Sequence, residues 1–191
     1  MMDNERILDH EKAERILQEG WVLFQQKGYR GVTIDELCAR CELTKPTLYY
    51  YFKDKEHLFV SVLQYRLKGF HEIIDQPGPL VQRLERIAVS ILESFQAEYN
   101  VLLRDREHLK DPEALAQIRD AFHRELFGPL IHLMQDGIDG GELVESSPQV
   151  LSLIFMGIVN NFIGHAAEFH TDNAGLAHDL VNKFLKGVQA A

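Results

Sequence analysis

Along most of this 191-residue chain, apolar residues return every three or four positions, the period of an α-helix buried on one side. No segment alternates apolar and polar residues over strand length with β-branched enrichment, so the pattern predicts an all-α protein. The sharpest local signals lie between Thr33 and Lys55. Thr33 can cap a helix; Glu36, three residues on, completes a capping box, and Val32 and Leu37 are placed as a hydrophobic staple. Thr44 repeats the device, with Pro46 in the first turn, where a missing N–H costs nothing, and Leu43 able to staple to Leu48. Asp54 then caps a third helix beginning Lys-Glu-His-Leu-Phe. Two short capped helices around a tight turn predict a helix-turn-helix.

Further on, a long helix is expected over residues 55–75, ended by the breaker Gln76-Pro77-Gly78-Pro79. A second should span 80–99 with Leu84, Ile87, Ala88, Ile91 and Phe95 in one stripe, and a short one 101–109. Asp111-Pro112-Glu113 opens another, which Gly128-Pro129 should kink or break. Residues 137–141 read as a loop, 148–169 as a strongly apolar helix opened by Ser147-Pro148, and 174–188 as a last helix. These boundaries divide the chain into a helix-turn-helix domain (1–53), a connecting helix (54–75) and a helical body (76–191).

The helix over 148–169 is apolar on nearly every side, and a helix apolar all round must be buried all round. The last helix, itself apolar on two faces, cannot cover it alone. Two such helices from each of two subunits would close a four-helix bundle. The expected interface is Leu151, Phe155, Ile158, Phe162 and Phe169 on one helix, with Leu176, Leu180, Phe184 and Val188 on the other. A monomer core would use the same stripes.

Net charge is −9, which argues against a partner made of phosphates until the chain is divided. Residues 1–68 hold 11 Lys and Arg against 11 Asp and Glu, whereas residues 69–191 hold 9 against 18. The N-terminal part is therefore neutral, and DNA binding there would rest on well-placed contacts and on being present twice. Cys38 and Cys41 stand three apart with no second Cys or His pair nearby, which favours reduced core thiols over a zinc or redox site. The N-terminus is charged and helix-like rather than a signal peptide, and the longest apolar run is too short to span a bilayer. A cytoplasmic protein without membrane contact is expected.

On the second short helix, Leu48 and Phe52 share the inward face; Pro46 and Tyr50 fall opposite, with Thr47 and Tyr49 on the flanks and Tyr51 nearer the buried side. Lys45 stands at the N-terminus, the end that recognition helices point toward base edges. Hydroxyls and lysines are ordinary phosphate partners, and tyrosine rings or threonine methyls pack on a thymine methyl.

Here the chain resembles the TetR family of one-component transcriptional regulators, over about residues 16–63. The likeness runs from Ile16 through Phe24 with Gly28-Tyr29, then Thr33-Ile34 and Leu37-Cys38-Ala39. It continues through Leu43-Thr44-Lys45-Pro46-Thr47-Leu48-Tyr49-Tyr50-Tyr51-Phe52 to Lys55-Glu56 and Leu58. The resemblance implies a DNA-binding set of Thr33, Thr44, Lys45, Pro46, Thr47, Tyr49, Tyr50, Tyr51 and Lys55. Thr33, Tyr49, Tyr51 and Lys55 would hold phosphates, while Lys45 and Thr47 face the groove and Tyr50 approaches the bases. Two positions depart from the family pattern. Glu42 stands where the turn usually has glycine, at a cost on the order of 1 kcal/mol if the backbone is left-handed. Gly20 replaces an alanine-type residue and should weaken the first helix by roughly 0.5–1 kcal/mol.

The resemblance also implies a homodimer on a palindromic operator, usually a repressor, released by a small-molecule effector bound in the body. Residues able to line such a pocket are Phe70, His71, Phe95, Tyr99, Leu103 and Arg104, followed by Arg119, Phe122, Phe127, Met134, Met156, Asn160 and Phe162. No cofactor and no enzymatic activity are expected. The alternatives are a helical metal-binding enzyme and a dimeric adaptor that has lost DNA binding. The first is suggested by nine histidines but lacks the Glu-x-x-His pairs a carboxylate-bridged bundle uses; its nearest pairs are Asp105/His108 and Asp120/His123. The second is favoured only by the neutral head and Glu42.

Overall fold

The structure, a computed structural model, describes residues 2–95 and 108–188. Among the described residues the regular elements are all helical. They form two compact units: residues 2–66 with 108–119, and residues 67–95 with 120–188.

The first unit is built on α1 (Met2–Gly31), α2 (Ile34–Cys41), α3 (Lys45–Tyr51) and α4 (Lys55–Leu67). Gly28 interrupts α1 at φ 67 and ψ 172, a conformation open to a residue without a Cβ. The turn brings Tyr29 against Phe59, whose ring also meets Phe24 edge-on at 4.9 Å. Around this cluster Ile16, Leu23, Leu37, Leu48, Leu58 and Val62 are fully buried. Each such side chain contributes about 1.5–3 kcal/mol of burial, which is what holds the seven residues of α3, too few for a stable isolated helix. Gly20 has a packing role that its low helix propensity hides. A Cβ there would stand 3.0 Å from Val62 Cγ2, so the missing methyl lets α1 and α4 close together. Glu56, in the first turn of α4, accepts the backbone N–H groups of Lys110 (2.8 Å) and Asp111 (3.2 Å). Asp111 in turn caps the next helix, α7 (Pro112–Phe122), through the Glu113 amide.

The second unit contains α5 (Phe70–Asp75), α6 (Leu80–Ser94), α8 (Gly128–Asp139), α9 (Pro148–Asn160) and α10 (Asn173–Val188). A π-helical turn (His123–Phe127) and a 3₁₀ turn (Ala166–Phe169) complete it. α10 lies along α6, and α9 packs on α8, α10 and α6. The α6 stripe is buried as the periodicity predicts, at Leu84, Ile87, Ala88, Ile91 and Phe95.

Several predicted boundaries move. The helix expected over 55–75 breaks at Gly69 (φ 97), and open carbonyls at the end of α5 and just beyond it are met by arginines of α6. Arg83 donates to Ile74 O, and Arg86 to Gln76 O and Pro77 O. α6 ends at Ser94; residues 96–99 and most of the helix expected over 101–109 lie outside the described residues. At Gly128-Pro129, where a kink or break is expected, the chain stays helical through a π-helical turn. Pro129 has no N–H to donate, and the Gly128 N–H reaches five residues back to His123 O. The loop expected over 137–141 is shorter, because α8 runs through Asp139 with Gly137 buried. The apolar helix expected to reach residue 169 stops at Asn160, where the Asn161 side-chain amide donates to Gly157 O at 2.7 Å.

Candidate nucleic-acid interface

The surface that α2 and α3 present is set by their caps. Thr33 Oγ1 accepts the Glu36 N–H at 3.2 Å, but the Glu36 carboxylate is engaged by Lys27 Nζ of α1. An ion pair thus replaces the second half of the expected capping box. At the other end of α2, Ala39 O accepts the Glu42 N–H and Cys38 O accepts the Leu43 N–H, the paired bonds of a Schellman turn. Glu42 occupies the left-handed position at φ 57 and ψ 41, so the departure from glycine carries its conformational cost. Its carboxylate turns toward Arg15 of α1, 3.4 Å away and well exposed.

Thr44 Oγ1 caps α3 by accepting the Thr47 N–H, and shares a second hydrogen bond with Thr47 Oγ1 at 2.8 Å. Leu48 and Phe52 bury the inner face. Outward stand Lys45 and Pro46, with Tyr49 44% and Tyr50 75% exposed; Thr47 and Tyr51 are half-buried. The Tyr50 and Tyr51 rings meet edge-on at 5.2 Å, which fixes the aromatic surface as a pair. The expected DNA-binding residues of α3 are therefore brought together on one side, over an apolar anchor.

Two neighbours of this set were not legible in the sequence. Lys45 Nζ lies 2.8 Å from Asp35 Oδ1 in the first turn of α2, and that hydrogen bond raises the lysine pKa. Lys55 Nζ, from the first residue of α4, sits 4.6 Å over the Tyr29 ring, a cation–π contact. Tyr29 is pushed up to about 12 by burial and then by Glu56 and Asp54, so it stays a neutral phenol. Asp54 caps α4 through the His57 amide at 2.9 Å. Burial alone would raise its pKa, but the hydrogen bonds from the His57 amide and ring bring it below the usual value. Gly28-Tyr29 was visible as a pattern, though nothing local marked Tyr29 as the platform under Lys55. The Asp35 contact joins two helices across the turn and has no sequence signature.

Cys38 and Cys41 are free and buried, and burial raises both thiols. Among the described residues no group of three or more His, Cys, Asp or Glu side chains is placed to hold a metal ion. No described helix is long and apolar enough to cross a membrane.

In the second unit the expected interface residues separate. Leu151, Phe155, Leu176, Leu180 and Phe184 are buried within the chain, with Phe155 and Phe184 in edge-on ring contact at 5.4 Å. They are core, because α6, α8 and α10 already cover that side of α9. Ile158, Phe162 and Val188 are half-buried and Phe169 is exposed. The outward face of α9 carries Val150, Leu153 and Ile154 as well, continuing at helical spacing to Ile158.

The residues suggested for a ligand pocket also divide. Phe70, Phe95, Met134, Met156 and Asn160 are buried, with Phe70 and Phe95 stacked at 6.4 Å. Phe122 and Phe127 are half-buried and 6.0 Å apart. His71 is exposed, with Nε2 3.0 Å from Asp75 Oδ2, and Arg119 is exposed. Tyr99, Leu103 and Arg104 lie outside the described residues.

The family model for bacterial regulatory proteins of the tetR family matches residues 16–62. The chain is 39% identical over 56 residues to the uncharacterized HTH-type transcriptional regulator YerO of Bacillus subtilis, covering 29% of this chain but only 19% of YerO. A longer likeness, 24% identical over 147 residues, is to the HTH-type transcriptional regulator UidR of Escherichia coli, covering 75% of this chain and 74% of UidR. Among solved structures, the regulator FadR from Bacillus subtilis in complex with stearoyl-CoA superposes with a TM-score of 0.74 at 15% identity. That likeness covers 92% of this chain and 99% of FadR and concerns the fold alone.

Proposed function

We propose, from the match of residues 16–62 to the tetR family of bacterial regulatory proteins, that this chain is a ligand-responsive transcriptional regulator. It binds a palindromic operator as a homodimer and acts as a repressor in the family's usual mode. The observation that carries the reading is α3 itself: a short helix pinned by Leu48 and Phe52, showing Tyr49 and Tyr50 to solvent beside Lys45 and Thr47. Exposed tyrosines and a capped N-terminus suit a groove lined by phosphates and base edges. Thr33, Thr44, Tyr49, Tyr51 and Lys55 hold backbone phosphates in this reading. Lys45, Pro46, Thr47 and Tyr50 face the bases.

Residues 1–53 read the DNA, 54–75 connect, and 76–191 form the body that dimerises and takes the ligand. The outward apolar face of α9 supports the dimer. Val150, Leu153, Ile154 and Ile158 meet their counterparts in a second copy, and two heads then address half-sites about one helical turn, or a multiple, apart. The buried apolar side chains Phe70, Phe95, Met134 and Met156 support an apolar effector site, and FadR, similar in fold, is in complex with stearoyl-CoA. The effector must bind the DNA-incompetent arrangement more tightly than the competent one for regulation to follow. The protein is a cytoplasmic regulator rather than an enzyme.

Selection of bound sequences from a random DNA pool tests the proposal. A palindrome is expected; recovery of no preferred sequence refutes it. Lys55→Ala should weaken binding to all sequences and make its salt slope shallower by about 1 per head, while Tyr50→Ala changes the bases selected.

A further inference from the structure

Lys45 stands at the reading end of α3, yet its ammonium is already partnered. Asp35 Oδ1 lies 2.8 Å away on α2, and the carboxylate itself is 76% exposed. The reading edge therefore shows a cation and an anion side by side, with the carboxylate in the first turn of α2. Such a carboxylate gains nothing against a phosphate. In the major groove it is repelled by the acceptors of guanine and thymine and can accept only from the amino groups of cytosine N4 and adenine N6.

Resting on the DNA-binding reading above, we propose that Asp35 is a specificity-determining residue that, with Lys45, reads one G·C pair in each half-site. Lys45 donates to guanine O6 and N7 while Asp35 accepts from cytosine N4. Those two base edges are themselves hydrogen-bonded neighbours, about 3 Å apart, so a side-by-side Lys–Asp pair can meet both at once. A T·A pair also offers an acceptor beside a donor, but it serves the pair less well. Lys45 then finds the single acceptor O4 instead of two, and adenine N7 places a lone pair next to N6, facing the carboxylate. Non-cognate DNA is disfavoured as well, because there Asp35 must surrender Lys45 to a phosphate with no donor for itself. The neutral charge of residues 1–68 fits a head that trades general affinity for discrimination.

The test selects bound sequences with the full-length wild type, Asp35→Ala and Asp35→Asn, and measures affinity for the selected duplex and for an unrelated one. Wild type should return a G·C pair at one symmetric position per half-site. Asp35→Ala should lose that preference, narrow the ratio of specific to non-specific affinity about tenfold or more, and steepen the salt dependence as Lys45 becomes available to phosphates. Asp35→Asn should move the position toward adenine, whose N6 and N7 an amide can bind together. Identical base preferences in wild type and Asp35→Ala would overturn the inference while leaving DNA binding intact. A wild type that selects no palindrome would remove both, so the two failures are told apart by the wild-type arm.

Discussion

Two surfaces of this protein expose large apolar side chains, and they differ in what accompanies the carbon. On α3, Tyr49 and Tyr50 stand out beside Thr47 and Lys45, so every exposed ring has a hydroxyl at its tip. On α9, Val150, Leu153 and Ile154 are 48%, 58% and 44% exposed on a helix without a single charged residue. Exposure alone treats these surfaces as equal. Chemistry does not: an amphipathic ring can leave water for a polyanion and keep its hydrogen bond, whereas a bare aliphatic face loses water favourably only against another apolar face. The first surface suits DNA and the second suits a copy of itself.

The comparison breaks most visibly inside α9. Phe155→Asp places a carboxylate among buried neighbours next to Phe184, and losing the ring alone costs about 3–5 kcal/mol. We expect loss of the cooperative thermal transition in circular dichroism, with DNA binding and assembly lost together. A folded Phe155→Asp monomer would instead put Phe155 at the interface. Leu153→Glu with Ile154→Glu, the two preceding residues on the outward face of the same helix, should leave helical circular dichroism intact and yield monomers in sedimentation. Affinity for the palindrome then falls on the order of 10²-fold as one head no longer localises the other. Unchanged sedimentation would sink the assignment of that face. The smallest effect belongs to the reading head. Glu42→Gly relieves a left-handed residue and should raise stability by up to about 1 kcal/mol, or roughly 2–4 °C in melting temperature, without changing the operator selected. A lower melting temperature would show that the Arg15 contact outweighs the strain.

Much of the reading head was legible before any coordinates. Caps, staples and the proline in the first turn act over three to five residues, so Thr33, Thr44 and Asp54 announced α2, α3 and α4, and the inward placement of Leu48 and Phe52 followed from helical spacing. The long helices were less legible. Gly69 ends a helix that periodicity continues, and Gly128-Pro129 widens one that local rules would kink or break, since neighbouring helices decide how a fault is absorbed. The expected interface suffered for the same reason. Phe155 and Ile154 are adjacent, equally apolar, and on opposite sides of the boundary between core and surface.

What the sequence determined by itself is the class of the protein and its candidate point of contact with DNA: an all-α chain with a capped helix-turn-helix and a tyrosine-bearing face. Those features depend on hydrogen bonds and side-chain spacing within a single turn or two. What only the tertiary structure decided is which apolar residues of α9 and α10 are spent on the core, and that Lys45 and Lys55 are held by Asp35 and Tyr29. Burial and cross-helix pairing depend on which element arrives from elsewhere in the chain. A residue's own neighbours in sequence carry no record of that arrival.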